Sequence, residues 1–136
     1  MLRSLTTLVP ALAVLTLAAT GCGRSAASDD ESASTANAPA EIATIKRMLD
    51  DALAQYRRGA SKAADRTVGD AYLDHFEELE EPLARRDDDL MQKLEHQIST
   101  EIRDEMRART AAKAISATVA ETKRDLDRAA AALRSG

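Results

Sequence analysis

At 136 residues the chain has room for one domain. Aromatics make up 2% and Trp is absent, so a core must come from Leu, Ile, Val, Met and Ala, a supply that suits helices and starves sheets. The net charge of −4 argues against nucleic acid as a partner, because that role needs a clustered basic face.

The first element is a targeting segment over residues 1–21. Arg3 supplies its positive start, and the apolar run from Leu5 to Ala19 is broken by Thr6, Thr7, Pro10 and Thr16. That run falls short of the ~20 apolar residues a membrane span takes. It ends Ala18-Ala19-Thr20-Gly21-Cys22, which resembles a bacterial lipobox with Ala19 where Leu is commonest. The resemblance implies a lipid-modified Cys22 at the mature amino terminus. Cys22 is the chain's one cysteine, and a lone exported thiol has no internal disulfide partner. The alternative is an ordinary signal peptide cleaved after a small residue such as Thr20 or Ala27. On the lipobox reading the protein belongs to the bacterial cell envelope, anchored to a membrane and facing its extracytoplasmic side. Each buried lipid methylene then contributes about 0.8 kcal/mol to the attachment.

Residues 22–39 hold the modified cysteine and a Ser-, Ala- and Asp-rich segment with almost nothing large and apolar. Such composition predicts a disordered tether. A helical domain is expected over 40–136. Ile42, Ile45, Met48, Leu49, Ala52, Leu53 and Tyr56 recur at helical spacing, with Pro39 ahead and Gly59 as the stop. A second helix is predicted from Ser61, an expected N-cap, with Ala64, Val68, Ala71, Tyr72, Phe76, Leu79 and Leu83 as its stripe. Gly69 weakens it by about 1 kcal/mol relative to Ala, and Pro82 is expected to end or kink it near Glu81. Asp87 or Asp88 caps a third helix carrying Leu90, Met91, Leu94, Ile98, Ile102 and Met106. The stripe fails near Thr110, where a break is favoured over one continuous rod. Ile115, Val119, Leu126 and Leu133 mark a fourth helix. Four such helices with short turns predict an all-α fold, a small antiparallel four-helix bundle.

Within the second helix, residues 69–86 carry Asp70, Asp74, Glu77, Glu78, Glu80 and Glu81 with no basic residue before Arg85. Helices usually mix the two signs. Glu77 and Glu80 share a face, and a carboxylate pair at that spacing can grip a hard cation through oxygen. Tyr72 stands near enough to join it. A hairpin between helices two and three brings Glu95 level with Asp74 to Glu77. The plainer account is a solvated acidic face with Tyr72 and Phe76 as core. His75 borders the apolar stripe, where packing is its ordinary role, and His96 points to solvent. Asp87, Asp88 and Asp89 lack the spacing and Gly of an EF-hand. No Ser-His-Asp, Cys-His or glycine-rich phosphate signature is present, so no enzyme is expected.

The pattern Ala71-Tyr72-Leu73-Asp74-x-Phe76-Glu77-x-x-Glu80-x-x-Leu83, then Arg86-Asp87-x-x-Leu90 and Leu94-Glu95, resembles the extracytoplasmic helical domain fused to bacterial members of the FTR1 iron permease family. The approach through Tyr56-Arg57-Arg58-Gly59 fits as well. The resemblance spans residues 41–133 and is sharp over 71–95. It implies a stand-alone lipoprotein that holds iron or a similar divalent cation as an accessory of an iron-uptake system. It implies an iron permease or another envelope protein as partner and favours Glu77 and Glu80 as metal residues, to which the helix geometry adds Glu95, Tyr72 and His75 as candidates. The permease's Arg-Glu-x-x-Glu membrane motif is absent, so this chain does not itself transport. Ile98 and Glu101-Ile102 also stand where the family continues with an aromatic and a Leu-Arg pair. The rival expectation is a non-enzymatic interaction bundle whose acidic face docks a basic surface and needs no metal.

Overall fold

The computed structural model describes residues 27–135, with side chains from residue 37 onward. The expected signal segment and Cys22 lie outside the described residues. Every regular element among the described residues is helical. None of these helices is long and apolar enough to cross a membrane.

Helix α1 runs Ala27–Arg57. It starts inside the segment that composition marks as a coil. Ala38 is seated in the core together with Ile42, Ile45, Leu49, Ala52 and Leu53. Pro39 therefore lies inside α1 and not at its start. The helix ends in a Schellman turn. Gly59 takes φ 82°, its N–H donates to the Tyr56 carbonyl at 2.9 Å, and the Ala60 N–H donates to the Gln55 carbonyl at 3.0 Å.

Helix α2 runs Ser61–Ala71, and its N-cap is Ala60, which offers no side-chain bond. Ser61 is the first helical residue and not the expected cap. A single π-helical turn, Tyr72–Phe76, leads into α3, Glu77–His96. In that turn the Glu77 N–H reaches back to the Tyr72 carbonyl. Pro82 does not end the helix; it is buried within it, and the break falls at Asp87, whose backbone is extended at φ −158°. The physical reason is that Pro82 costs only one backbone bond while its ring fills core space. Asp87 brings its own cap, because Oδ1 accepts the Leu90 N–H at 3.1 Å.

A second π turn, Gln97–Glu101, precedes α4, Ile102–Arg107, and the break expected near Thr110 separates α4 from α5, Ala112–Arg134. This break repeats the Schellman pattern without a glycine. Arg109 adopts φ 58°, its N–H donates to the Met106 carbonyl at 3.3 Å, and the Thr110 N–H donates to the Glu105 carbonyl at 3.0 Å.

Neighbouring segments run in opposite directions. Lys46 meets Asp127 at 2.6 Å while Tyr56 Oη donates to the Thr110 carbonyl at 2.7 Å, so α1 opposes α5. Arg103 Nε donates to Asp65 at 2.9 Å, so the chain after Asp87 returns along α2. Lys93 meets Asp125 at 2.8 Å, which ties α3 to α5. The stripes of all four predicted helices meet in one core, with Phe76, Ile45, Leu49, Leu79, Leu94, Ile98, Ile115 and Leu126 fully enclosed. Each such side chain contributes about 1.5–3 kcal/mol on leaving water. Gly69 is part of this fit: the Arg103 guanidinium carbon would lie 3.3 Å from a Cβ placed there. The glycine that weakens the helix locally thus makes room for the Arg103–Asp65 pair.

Candidate functional site

The fold sorts charge towards its two ends. At the end where the chain reverses at Asp87, the second helical segment presents exposed Asp74, Glu77, Glu78 and Glu81, with Asp70 a turn further in, Asp88 and Asp89 beyond the turn, and exposed Arg85 and Arg86 at the turn itself. At the opposite end the turns at Gly59 and Arg109 lie side by side, joined by the bond from Tyr56 to Thr110. There the exposed charged side chains are Arg57, Arg58, Lys62, Arg66, Arg107, Arg109 and Lys113, with Asp104 among them.

The acidic end gathers part of the predicted metal set. Tyr72 stacks on Phe76 with ring centroids 6.0 Å apart, which fixes the phenol against the core. Burial pushes the Tyr72 hydroxyl well above its ordinary range, and hydrogen bonding to Glu80 pushes it further. The charges of Glu80, Glu95 and Glu77 act in the same direction. Three carboxylates, those of Glu77, Glu80 and Glu95, thus lie near the Tyr72 phenol. Glu80 Oε1 is enclosed and has no hydrogen-bond partner among the described residues.

His75 goes elsewhere. Its Nδ1–H donates to Glu41 Oε2 at 2.6 Å, which pins the π turn to α1. Glu41 is a partner that helical periodicity could not name, since it lies on a different helix. His96 is exposed as expected. No group of three His, Cys, Asp or Glu side chains among the described residues is drawn tightly enough to hold a metal ion. The acids face one phenol without converging on one point.

Leu73 is the exposed large apolar side chain of this face, 58% accessible. Asp70, Asp74 and Glu77, all exposed, stand at the helical positions around it.

Between the two ends lies a polar network that the sequence pattern does not flag. Gln97, Thr122 and Asp125 are buried, and Asp125 is only 4% exposed. Lys93 bridges Asp125 and Glu121 at 2.8 and 2.7 Å, and Arg128 meets Asp125 at 3.0 Å. Burial drives the Asp125 carboxyl up, but Lys93, Arg128 and Gln97 together hold it below the ordinary carboxylate range. Hydrogen bonding to Asp125 and then Glu121 raises Lys93 in turn.

Among the described residues the fold defines an all-α helical protein. No family model, curated protein or solved structure matches the chain.

Proposed function

We propose that the protein is a lipid-anchored, extracytoplasmic, non-enzymatic module, a small antiparallel four-helix bundle that docks a basic surface with its acidic face. The antiparallel pairings of α1 with α5 and of α2 with α4 support the bundle. The lipobox-like stretch ending at Cys22 supports the anchor, and α1 begins at Ala27, at the acidic end and a few residues after that cysteine. On this reading the acidic end lies on the anchored side of the molecule, where a membrane protein's outer face is within reach.

The observation that carries the docking reading is Leu73, a solvent-facing apolar knob among Asp70, Asp74 and Glu77. An apolar centre with a charged rim is the ordinary anatomy of a protein interface. Electrostatic complementarity then steers the encounter. A photo-crosslinker placed at position 73 of the membrane-bound protein tests it. A membrane protein should be captured at low salt, and less of it at about 0.5 M salt, where exposed charges are screened within a few ångströms. Capture that is unchanged by salt and by Asp70→Asn with Asp74→Asn overturns the docking. The anchor is read separately: fatty-acid label should enter the wild type and not Cys22→Ser.

A second reading is favoured by Glu80 Oε1, the enclosed oxygen without a partner beside Tyr72, Glu77 and Glu95. It makes the acidic end a weak site for iron or a similar divalent cation, in an accessory of an iron-uptake system, as the resemblance to the FTR1 iron permease domain implies. Calorimetry with Fe(II), Cu(II) and Mn(II) decides it, since heats equal in wild type and in Glu77→Gln with Glu80→Gln leave no role for these carboxylates.

A further inference from the structure

The segment after Asp87 and α5 meet along a polar seam whose oxygens outnumber its donors. Two contacts fix the register across it. Gln97 bonds to Asp125, and Thr118 Oγ1 donates to Glu105 Oε1 at 3.2 Å. The two segments run in opposite directions, so Glu101, midway between Gln97 and Glu105, comes level with Thr122. Gln97, Glu101 and Glu105 recur every four residues and share one face. The π turn over Gln97–Glu101 winds more widely than an α-helix and keeps the first two of them nearly in line. We infer that this seam, centred on Glu101, is a site for a hard divalent cation held through oxygen alone. Gln97 stands two residues past Glu95 and so on another side of the helix from the Tyr72 cluster, and failure of the inference leaves both readings above untouched.

Three observations converge on it. First, Gln97 is 3% exposed, and its amide has a fixed sense. Only Nε2 can donate to a carboxylate, so Nε2 faces Asp125 and Oε1 is turned the other way, towards Glu101. That oxygen is enclosed and has no partner among the described residues.

Second, two carboxylates stand on the same face without a cation. Glu105 Oε1 is taken by Thr118, while Oε2 is enclosed and unpartnered. Glu101 is half-buried, and its side chain makes no ion pair or hydrogen bond among the described residues. Like charges four residues apart on a helix repel each other. Water would supply hydrogen bonds here but no charge.

Third, the neighbouring donors are engaged elsewhere. The Thr122 hydroxyl donates to the Thr118 carbonyl at 2.9 Å. Lys93 is held by Glu121 and Asp125, Arg128 by Asp125, and Lys123 by Asp50 across the bundle. What remains is a set of acceptors: two carboxylates, one amide oxygen and the lone pairs of two hydroxyls. Such a set, without His or Cys, suits a hard ion. A calcium-sized ion accepts uneven oxygens from long side chains, whereas magnesium demands near-octahedral geometry. Affinity is modest, because it follows the number of charged ligands. Half-buried Glu101 and Thr118 give the ion a way in.

The test is amide NMR and thermal melting of the full chain titrated with Ca(II) and, separately, with Mg(II). Saturable shifts of Gln97, Glu101, Glu105 and Thr122 are expected, tighter for Ca(II), with a rise in melting temperature as the ion binds the folded state. Each of Glu101→Gln and Glu105→Gln should weaken binding about tenfold. Glu77→Gln with Glu80→Gln should leave these shifts as they are, which separates the seam from the acidic end. The unperturbed amides elsewhere report that each variant is folded. The inference is overturned if neither ion shifts these amides, if the shifts are confined to the surroundings of Tyr72, or if Glu101→Gln binds as the wild type does.

Discussion

The two ends of this molecule are closed by different turns. At the acidic end Asp87 leaves the helix in an extended conformation and caps the next segment through Leu90. Asp88 and Asp89 follow in the first turn of that segment, where negative charge is favoured by the helix dipole. At the basic end Lys62 sits in the first turn of α2, where positive charge is disfavoured, whereas Arg57 and Arg107 stand in the last turns of α1 and α4, where it is favoured. The acids divide in the same way, since Glu80 and Glu81 come near the close of the segment before Asp87, where negative charge is disfavoured. Turn chemistry separates the two ends more cleanly. The acidic end uses a residue suited to its conformation, whereas the basic end holds Arg109 in a left-handed conformation that glycine adopts more readily.

The comparison is broken most severely by Phe76→Ala. Phe76 is fully buried beneath Tyr72, and its removal should cost about 3–5 kcal/mol in urea unfolding. The acidic end would lose the support that fixes its phenol, while the turns at Gly59 and Arg109 at the far end keep their own backbone bonds wherever the variant is folded.

A smaller effect is expected from Asp125→Asn, in the network between the ends. It should cost about 1.5–3 kcal/mol at neutral pH, because a buried carboxylate bonded to Lys93 and Arg128 is replaced by a neutral amide. The sign with pH follows from the direction of each shift. The Asp125 carboxyl is lowered by folding, so its contribution is full above the unfolded value of about 3.9 and is lost as pH falls through the lower folded value. Lys93 is raised, so its share is full below about 10.4 and is lost as pH rises through the higher folded value. The gap between wild type and variant should therefore be widest at neutral pH and close towards strong acid and strong alkali. A gap that does not change from pH 2 to 7 would rule out the charge as its origin.

The smallest effects sharpen the comparison within the basic end. Gly59→Ala should destabilise by about 1–2 kcal/mol, because a Cβ is strained at φ 82° although nothing stands in its way. Arg109→Gly should stabilise by about 0.5–1 kcal/mol for the converse reason. Thermal melts of the two variants should move in opposite directions. A destabilised Arg109→Gly would mean that the arginine side chain itself contributes to folding.

Much of the architecture is written in local chemistry. The helical stripes from Ile42 to Leu133 follow from periodicity alone, because a helix must bury one face whatever its neighbours are. The stop at Gly59 and the cap at Asp87 are equally local. The acidic face was legible for the same reason: its carboxylates are contiguous along one helix. Tyr72 beside Glu77 and Glu80 was legible too, and Glu95 followed once a hairpin was assumed.

What the sequence by itself determined is therefore the set of properties that depend on residues within a turn or two of one another: helix, stripe, cap and acidic run. Tertiary structure alone decided the rest. Pro82 could be kept inside a helix because core packing outweighs one missing backbone bond. His75 turned to Glu41, and Asp125 to Lys93, because those partners arrive from other helices. The basic end joins Lys62 and Arg66 to Arg109, segments that no spacing rule connects. The net charge of −4 conceals it, since a sum over the chain carries no information about where folding puts each sign.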